Sequence, residues 1–326
     1  MRTGASEYAN PRGSHAVIVA LAESLAIRIK GYSMTPPPAD KVSGHRATAA
    51  VEVATLDDGQ ILLVTINRPR RSNALDSQTL AELHSVLDSI NGDPAARTVI
   101  ITGAGTAFCA GADIKASTTD FTSVDATPSA ALLGAATSTV ATTLAAQELM
   151  ASAFEKVHRL RQPVIAAING AAVGGGFALA LACDIRYASP TAVFGAVFIR
   201  HGVSACDMGT SYHLPRLIGA SRAAELMLTG RDFGAEEAAE MGLILEVVEA
   251  ANLLDRAIEK AREIGRNAPL AVWMTKETMW QTIDSPSLRH ALDIENRTQV
   301  MCTATGELTN SFAAFGTDGA PHWNPL

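Results

Sequence analysis

An apolar segment near the middle of the chain leads directly into a run of three glycines. Residues 163–168 carry only apolar side chains, and this uninterrupted run predicts a strand. Glycines at 174–176 follow, and the apolar residues up to Cys183 predict a helix after them. A strand joined to a helix by a turn of small residues indicates an α/β protein, in which helices cover a sheet.

Strands and helices alternate along the rest of the chain. Further strands are predicted at residues 61–66, 98–101, 185–187 and 192–194. Ser77 can cap a helix that begins there, which has an apolar stripe at helical spacing: Leu80, Leu83, Val86, Leu87 and Ile90. From about residue 214 to residue 315 the pattern is mainly helical. This order predicts an α/β core at residues 51–250 and a C-terminal helical region at residues 251–326.

Two segments differ in composition from this core. Residues 1–50 are expected to be a flexible N-terminal extension, because prolines at 36–38 cannot continue a helix or a sheet and their neighbours are small and polar. An insert at about 117–143 is rich in Ala, Ser and Thr, and we expect a mobile loop or lid there. The apolar stretch at 15–29 is interrupted by Glu23 and lacks a clear cleavage site, so a cytoplasmic protein is expected.

The overall composition excludes several functions. Of the 326 residues 48% are hydrophobic, which is enough for a substantial core, and the formal net charge of -7 argues against nucleic acid or membrane surfaces as partners. No apolar run approaches the roughly 20 residues that cross a bilayer. The four cysteines lie far apart without a CxxC pair or a His/Cys spacing, so neither a metal site nor a disulfide framework is predicted.

Two turns of small residues are candidates for a functional site. One covers residues 108–115 after a strand, and the other covers residues 169–176 between a strand and a helix. Glycine lets a ligand approach the backbone closely, and the first amides of a helix are unpaired donors at its positive end. Two such turns that face each other can aim two N–H groups at one oxygen, as in an oxyanion hole. Alternatively, the glycines only permit tight packing of strand against helix.

Seven short motifs occur in series along the chain. They are NRP with NAL (67–69, 73–75), AGADIK (110–115), PVIAAING (163–170), ACDIR (182–186), LPRLIG (214–219), LTG (228–230) and GL (242–243). Their order and spacing resemble the enoyl-CoA hydratase/isomerase (crotonase) family from about residue 51 to residue 315. The resemblance implies a crotonase-like spiral of repeated ββα units with a C-terminal helical trimerisation region. It also implies a coenzyme A thioester substrate without a separate cofactor, and a homotrimer or a dimer of trimers.

The resemblance also assigns residues by position. The backbone N–H groups of Ala112 and Gly175 would form the oxyanion hole. The acyl-CoA channel would be lined by Ala74, Ala110, Asp113, Ile114 and Lys115. Three arginines, Arg68, Arg70 and Arg71, would hold the CoA phosphates through charge-assisted hydrogen bonds, or alternatively belong to a solvated loop.

The sequence departs from the family where hydration needs two glutamates. Those positions hold Ala178 and Phe198, and neither side chain can transfer a proton. Asp207 is the best replacement, because a carboxyl in an apolar pocket has a raised pKa and can move a proton between carbons. His201 is a second candidate. Alternatively, Asp207 caps a helix that starts near Thr210, and His201 is an ordinary surface histidine.

Three functions are compatible with these residues. The first is an acyl-CoA enzyme that stabilises a thioester enolate and shifts a proton, as in double-bond isomerisation. The second is a weak or specialised enoyl-CoA hydratase. The third is a non-catalytic acyl-CoA-binding paralogue, which keeps the oxyanion hole without the acids.

Overall fold

The computed structural model describes residues 49–113, 138–314 and 322–324, and the fold is mixed α/β. Residues 1–48, most of the insert, Ile114 and Lys115 lie outside the described residues. The strands are β1 Val51–Leu56, β2 Ile61–Ile66, β3 Thr98–Gly103, β4 Ala107–Cys109, β5 Val164–Ile168, β6 Ala171–Val173, β7 Ile185–Ala188, β8 Val193–Gly195, β9 Phe233–Gly234 and β10 Glu246–Val247.

The described helices begin in the core and continue to the C-terminal region. They are α1 Ser77–Gly92, α2 Thr139–Arg159, α3 Gly175–Ala182, α4 Thr210–Ile218, α5 Ala220–Thr229, α6 Ala235–Glu240, α7 Leu253–Gly265, α8 Pro269–Thr282, α9 Leu288–Ala304 and α10 Glu307–Ala314. Short 3-10 helices lie at Asp57–Gly59, Pro69–Arg71 and Val197–His201. Among the helices that the structure describes, none is long and apolar enough to cross a membrane.

The strands form two sheets that share one repeating pattern. The larger sheet has the order β1-β2-β3-β5-β7-β10, and the smaller one has the order β4-β6-β8-β9. In three successive strand pairs (β3 with β4, β5 with β6, β7 with β8) the first strand joins the large sheet and the second joins the small sheet. Helices α2, α3 and α4 follow these pairs, and the neighbours β3–β5, β5–β7, β4–β6 and β6–β8 are parallel. This arrangement confirms the predicted spiral of ββα units.

Helix α1 begins where the sequence predicts it, but its cap is a different residue. The carboxylate of Asp76 accepts the N–H of Thr79 at 2.9 Å, so Asp76 is the N-cap and Ser77 is the first helical residue. An aspartate accepts this hydrogen bond with a full negative charge at the positive end of the helix, which makes it a strong cap. The predicted apolar stripe faces the core, with Val86 partly buried at its edge.

Helix α3 lies entirely inside the protein. All eight of its residues are buried, and the ring of Phe177 packs edge-on against the rings of Phe194 and Phe233. A β-carbon on Gly176 would lie 1.8 Å from the carbonyl oxygen of Cys109, so only glycine lets α3 approach β4 this closely. The second predicted turn is therefore held between the small sheet and the core.

The insert and the C-terminal region differ in detail from the prediction. Helix α2 begins at Thr139 with Ser138 as its N-cap, so the end of the insert, predicted at 143, is already helical. Helix α7 belongs to the core, because Leu253, Ala257 and Ala261 pack against the large sheet. Helix α9, in contrast, has no buried residue in this single chain.

Candidate active site

The first turn, at the end of β4, is held by a bridge to Leu75. The N–H of Leu75 donates to the carbonyl of Gly111 at 2.7 Å, and its carbonyl accepts the N–H of Asp113 at 2.9 Å. Successive residues of an extended segment point their N–H groups to opposite sides. The N–H of Ala112 therefore points away from Leu75, and no described residue accepts a hydrogen bond from it.

The second turn presents the start of α3. Gly174 has a φ of 54° in the left-handed region, and its N–H donates to the carbonyl of Gly195 at 2.9 Å. Gly175 is the first helical residue, so its N–H has no acceptor within the helix. The positive end of the helix dipole lies at this group and favours a negatively charged oxygen.

The two turns face each other at close range. A β-carbon on Gly111 would lie 2.9 Å from the nitrogen of Gly175, and a β-carbon on Gly175 would lie 3.8 Å from the nitrogen of Ala112. The backbone N–H groups of Ala112 and Gly175, called the N–H pair below, are therefore neighbours. Such a pair is able to donate two hydrogen bonds to one carbonyl oxygen.

The surroundings of the N–H pair are apolar. A β-carbon on Gly174 would lie 3.9 Å from Cε1 of Phe198, and one on Gly175 would lie 3.4 Å from Sδ of Met208. Ala178, one turn into α3, is fully buried in the core. Neither Ala178 nor Phe198 has a side-chain proton that it could exchange with a substrate.

Asp207 lies in the loop before α4, next to Met208. Its backbone carbonyl accepts the N–H of Thr210 at 2.8 Å, whereas its side chain accepts a hydrogen bond from the amide of Gln147 on α2. The N-cap of α4 is Gly209, so the carboxylate of Asp207 does not cap this helix. Partial burial raises the pKa of Asp207, and the hydrogen bonds from the Met208 N–H and from Gln147 oppose that rise.

The second proton-transfer candidate has a different environment. His201 ends the 3-10 helix Val197–His201 and is exposed to solvent. Partial burial next to Met208 distinguishes Asp207 from it and makes the aspartate the stronger candidate for proton transfer.

Arg68 has a structural role in this loop. Its guanidinium forms ion pairs with Asp76 and, at 3.0 Å, with Asp113, and it also donates to the carbonyl of Ala74. Two carboxylates already neutralise Arg68, and a phosphate would have to compete with them. Arg70 and Arg71, in contrast, are exposed and form no ion pair with a described residue.

Three of the predicted channel residues lie beside Arg68 and its hydrogen-bonding partners. Ala74 is buried, the N–H of Ala110 donates to the carbonyl of Ser72 at 3.0 Å, and Asp113 is held by Arg68. Their contact with a substrate stays a prediction, as does that of Ile114 and Lys115.

Two residues that sequence reasoning did not assign hold the site together. Asn73 is fully buried with a φ of 57°, and its side-chain amide donates to the carbonyl of Ala107 at 2.7 Å while its oxygen accepts the N–H of Arg68. Gln147 contacts Asp207 across 60 positions of sequence. The NAL motif marks Asn73, whereas no local pattern marks Gln147.

The ββα spiral thus places two neighbouring N–H donors in an apolar environment. A site of this class is suited to binding a polarised carbonyl oxygen. The chain belongs to the enoyl-CoA hydratase/isomerase family, whose model matches residues 57–325. It is therefore an acyl-CoA-processing enzyme of this family.

Individual relatives agree with this family membership. The chain is 37% identical to a probable enoyl-CoA hydratase (echA12) of Mycobacterium bovis over 284 residues, which cover 87% of this chain and 96% of the relative. A crystal structure of a probable enoyl-CoA hydratase/isomerase from Mycobacterium abscessus has a TM-score of 0.73 and 36% identity, and covers 83% of this chain and 98% of its own. A monofunctional enoyl-CoA isomerase from M. smegmatis has a TM-score of 0.60 and 35% identity, with coverage of 75% and 99%.

Proposed function

We propose that this enzyme shifts a proton within an acyl-CoA thioester and so moves a carbon–carbon double bond. Two observations together carry the proposal. Asp207 offers a half-buried carboxyl, and the positions assigned to the two glutamates hold Ala178 and Phe198. A carboxyl in the loop whose Met208 packs against Gly175 suits proton transfer between carbons, whereas hydration needs further groups to activate water. The similarity to an enoyl-CoA isomerase supports this reaction type.

The chemistry follows from the charge that develops on the thioester. With a 3-enoyl thioester, the carboxylate of Asp207 takes a proton from C2, and the electron pair of the broken C–H bond forms an enolate. The N–H groups of Ala112 and Gly175 stabilise the negative charge on the thioester oxygen. The carboxylic acid of Asp207 then returns the proton to C4, and the double bond moves from C3–C4 to C2–C3.

The test is a panel of 2-enoyl- and 3-enoyl-CoA thioesters in heavy water, followed by mass and by double-bond position. We expect deuterium incorporation and a moved double bond, with a loss of roughly 100-fold or more in kcat for Asp207→Asn. Asp255→Asn, an exposed aspartate on α7, is the matched control and should retain wild-type turnover. If exchange persists in Asp207→Asn, enolate chemistry stands and Asp207 is not its base.

The same panel separates the other functions. A hydrated product would favour a specialised hydratase, the activity in the name of the M. bovis relative. Saturable binding without exchange would favour a non-catalytic acyl-CoA-binding paralogue.

We further propose that Arg71 contacts the CoA phosphates and that the chain assembles as a homotrimer or a dimer of trimers. The support for Arg71 is its exposure beside the loop that Arg68 holds. The support for assembly is the row of exposed apolar side chains on α9 and α10, among them Val300 and Phe312.

A further inference from the structure

The side chain of Asp207 is held by one residue from a distant part of the chain. Gln147 lies in the third turn of α2, and its Nε2 donates to Oδ1 of Asp207. Both residues are partly buried. Burial raises the pKa of Asp207, and the hydrogen bonds from the N–H of Met208 and from this amide oppose the rise.

The loop around Asp207 is fixed at its backbone as well. Met208 and Gly209 both have a positive φ, 47° and 83°, and the carbonyl of Asp207 accepts the N–H of Thr210. A methionine in the left-handed region is uncommon and is held there by its surroundings. The same conformation brings Sδ of Met208 against Gly175, so the loop that carries Asp207 abuts the N–H pair.

The hydrogen bond determines which oxygen can carry the proton. A side-chain amide nitrogen has two N–H donors and no acceptor, so Oδ1 of Asp207 accepts as long as Nε2 of Gln147 faces it. A proton taken up by this carboxyl therefore resides on Oδ2. A donor to the carboxylate also stabilises its charged form and counteracts the effect of burial.

We propose that Gln147 is a positioning residue for Asp207, which reserves Oδ1 as an acceptor so that Oδ2 carries the proton between the carbons of the acyl chain. The inference rests on the proposed function, in which Asp207 is the base. It assigns to α2, the helix that follows the insert, a part in the reaction that acts through Asp207.

The test compares Gln147→Met, which keeps the length of the side chain without the donor, with the wild type. The readouts are the pH profile of kcat/KM for the 3-enoyl thioester and the titration of the Asp207 carboxyl carbon by 13C NMR, assigned with Asp207→Asn. Without the donor the base is protonated at higher pH. We therefore expect the acid limb of the profile and the NMR titration to move upward together, with about a tenfold loss in kcat/KM on the acid side.

Two further variants serve as controls. Gln78→Met removes a similar glutamine-to-carboxylate hydrogen bond, from Gln78 to Glu82 at 2.9 Å on α1, and should leave both readouts unchanged. If Gln147→Met does not fold, Gln147→Glu takes its place in the test, because it keeps the shape of the side chain. It places a second carboxyl against Asp207, and the second of the pair's two titration steps should occur at still higher pH.

The outcomes separate this inference from the proposed function. If Asp207→Asn abolishes turnover while neither Gln147 variant moves the acid limb or the NMR titration, Gln147 has no positioning role and the base assignment stands. If the NMR titration moves but Asp207→Asn keeps full turnover, the hydrogen bond exists without a catalytic purpose, and the inference is overturned together with the base assignment.

Discussion

At the scale of single residues, glycine suits positions 174, 175 and 176 for three different structural reasons. Gly174 has a left-handed backbone, with a φ of 54°. A β-carbon on Gly175 would fit but would lie 3.8 Å from the nitrogen of Ala112, so glycine keeps the N–H pair open to a ligand, and Gly176 lets α3 rest on the carbonyl of Cys109. The two explanations that the sequence left open, close ligand approach and tight packing, thus apply to neighbouring residues of one turn.

This difference predicts opposite results for two adjacent substitutions. In Gly176→Ala the new β-carbon would lie 1.8 Å from a backbone oxygen, so we expect a loss of about 3 kcal/mol in the free energy of unfolding. In Gly175→Ala the nearest atoms are at 3.4 Å and the backbone is helical, so the fold should be retained. The methyl group would stand beside the N–H pair, and kcat/KM should fall roughly 100-fold. Urea unfolding and the isomerisation assay measure both effects, and normal turnover in Gly175→Ala would contradict the assignment of the pair.

At the scale of secondary-structure elements, α8 is attached to the core by buried polar and aromatic groups. Lys276 on α8 pairs with Asp184 at 2.7 Å, and both side chains are largely buried. The ring of Trp280 packs against His158 of α2 at 4.5 Å and against His213 of α4 at 5.7 Å between centroids. Three helices therefore meet around His213, which is buried, and His158, which is partly buried.

These histidines predict a loss of stability in mild acid. Burial, together with repulsion from neighbouring cationic groups, lowers the pKa of His213 to about 3, whereas the unfolded chain takes up this proton near pH 6.5. Stability should therefore decrease as the pH falls from 6.5 toward 3, and His213 alone should cost about 2 kcal/mol between pH 7 and pH 5.

Urea unfolding at the two pH values measures this loss. His213→Phe keeps a ring at this position without a titrating group and should reduce the loss, whereas the exposed His290→Gln on α9 should leave it unchanged. An equal acid sensitivity of the wild type and His213→Phe would contradict the explanation.

At the scale of the whole molecule, the two sheets are well buried, whereas the last two helices expose apolar side chains. Helix α9 has no buried residue, and the exposed fractions of Leu288 and Val300 on it are 76% and 69%. Phe312 on α10 is 68% exposed. An apolar surface of this kind is typical of an interface between subunits.

We therefore expect the purified protein to have three or six times the mass of the chain by light scattering. Val300→Asp places a charge within this surface and should shift the protein toward smaller species, because an unpaired charge at an interface is costly. Val140→Asp, a similarly exposed valine on α2, is the control and should keep the wild-type mass. A monomeric wild type at micromolar concentration would contradict the proposal.

Much of the fold follows from local patterns in the sequence. Largely apolar runs predict β2 and β5, and helical spacing predicts α1, since these patterns depend on neighbours along the chain. The cap of α1 is less well predicted, because Asp76 and Ser77 are both able to accept the hydrogen bond and only the backbone conformation selects Asp76. The motifs around Gly111 and Gly175 likewise indicate the two turns that the structure brings together.

The tertiary structure alone decides what the polar side chains of the site contact. Arg68 resembles a phosphate ligand in sequence, yet the fold places two carboxylates against it. Asp207 has the local pattern of a helix cap, yet its side chain turns to Gln147, which is 60 positions away. The sequence by itself determined the class of fold and the two glycine turns, because these depend on residue identity and local spacing. Hydrogen-bond partners depend on how distant segments are brought together, and only the folded chain determines them.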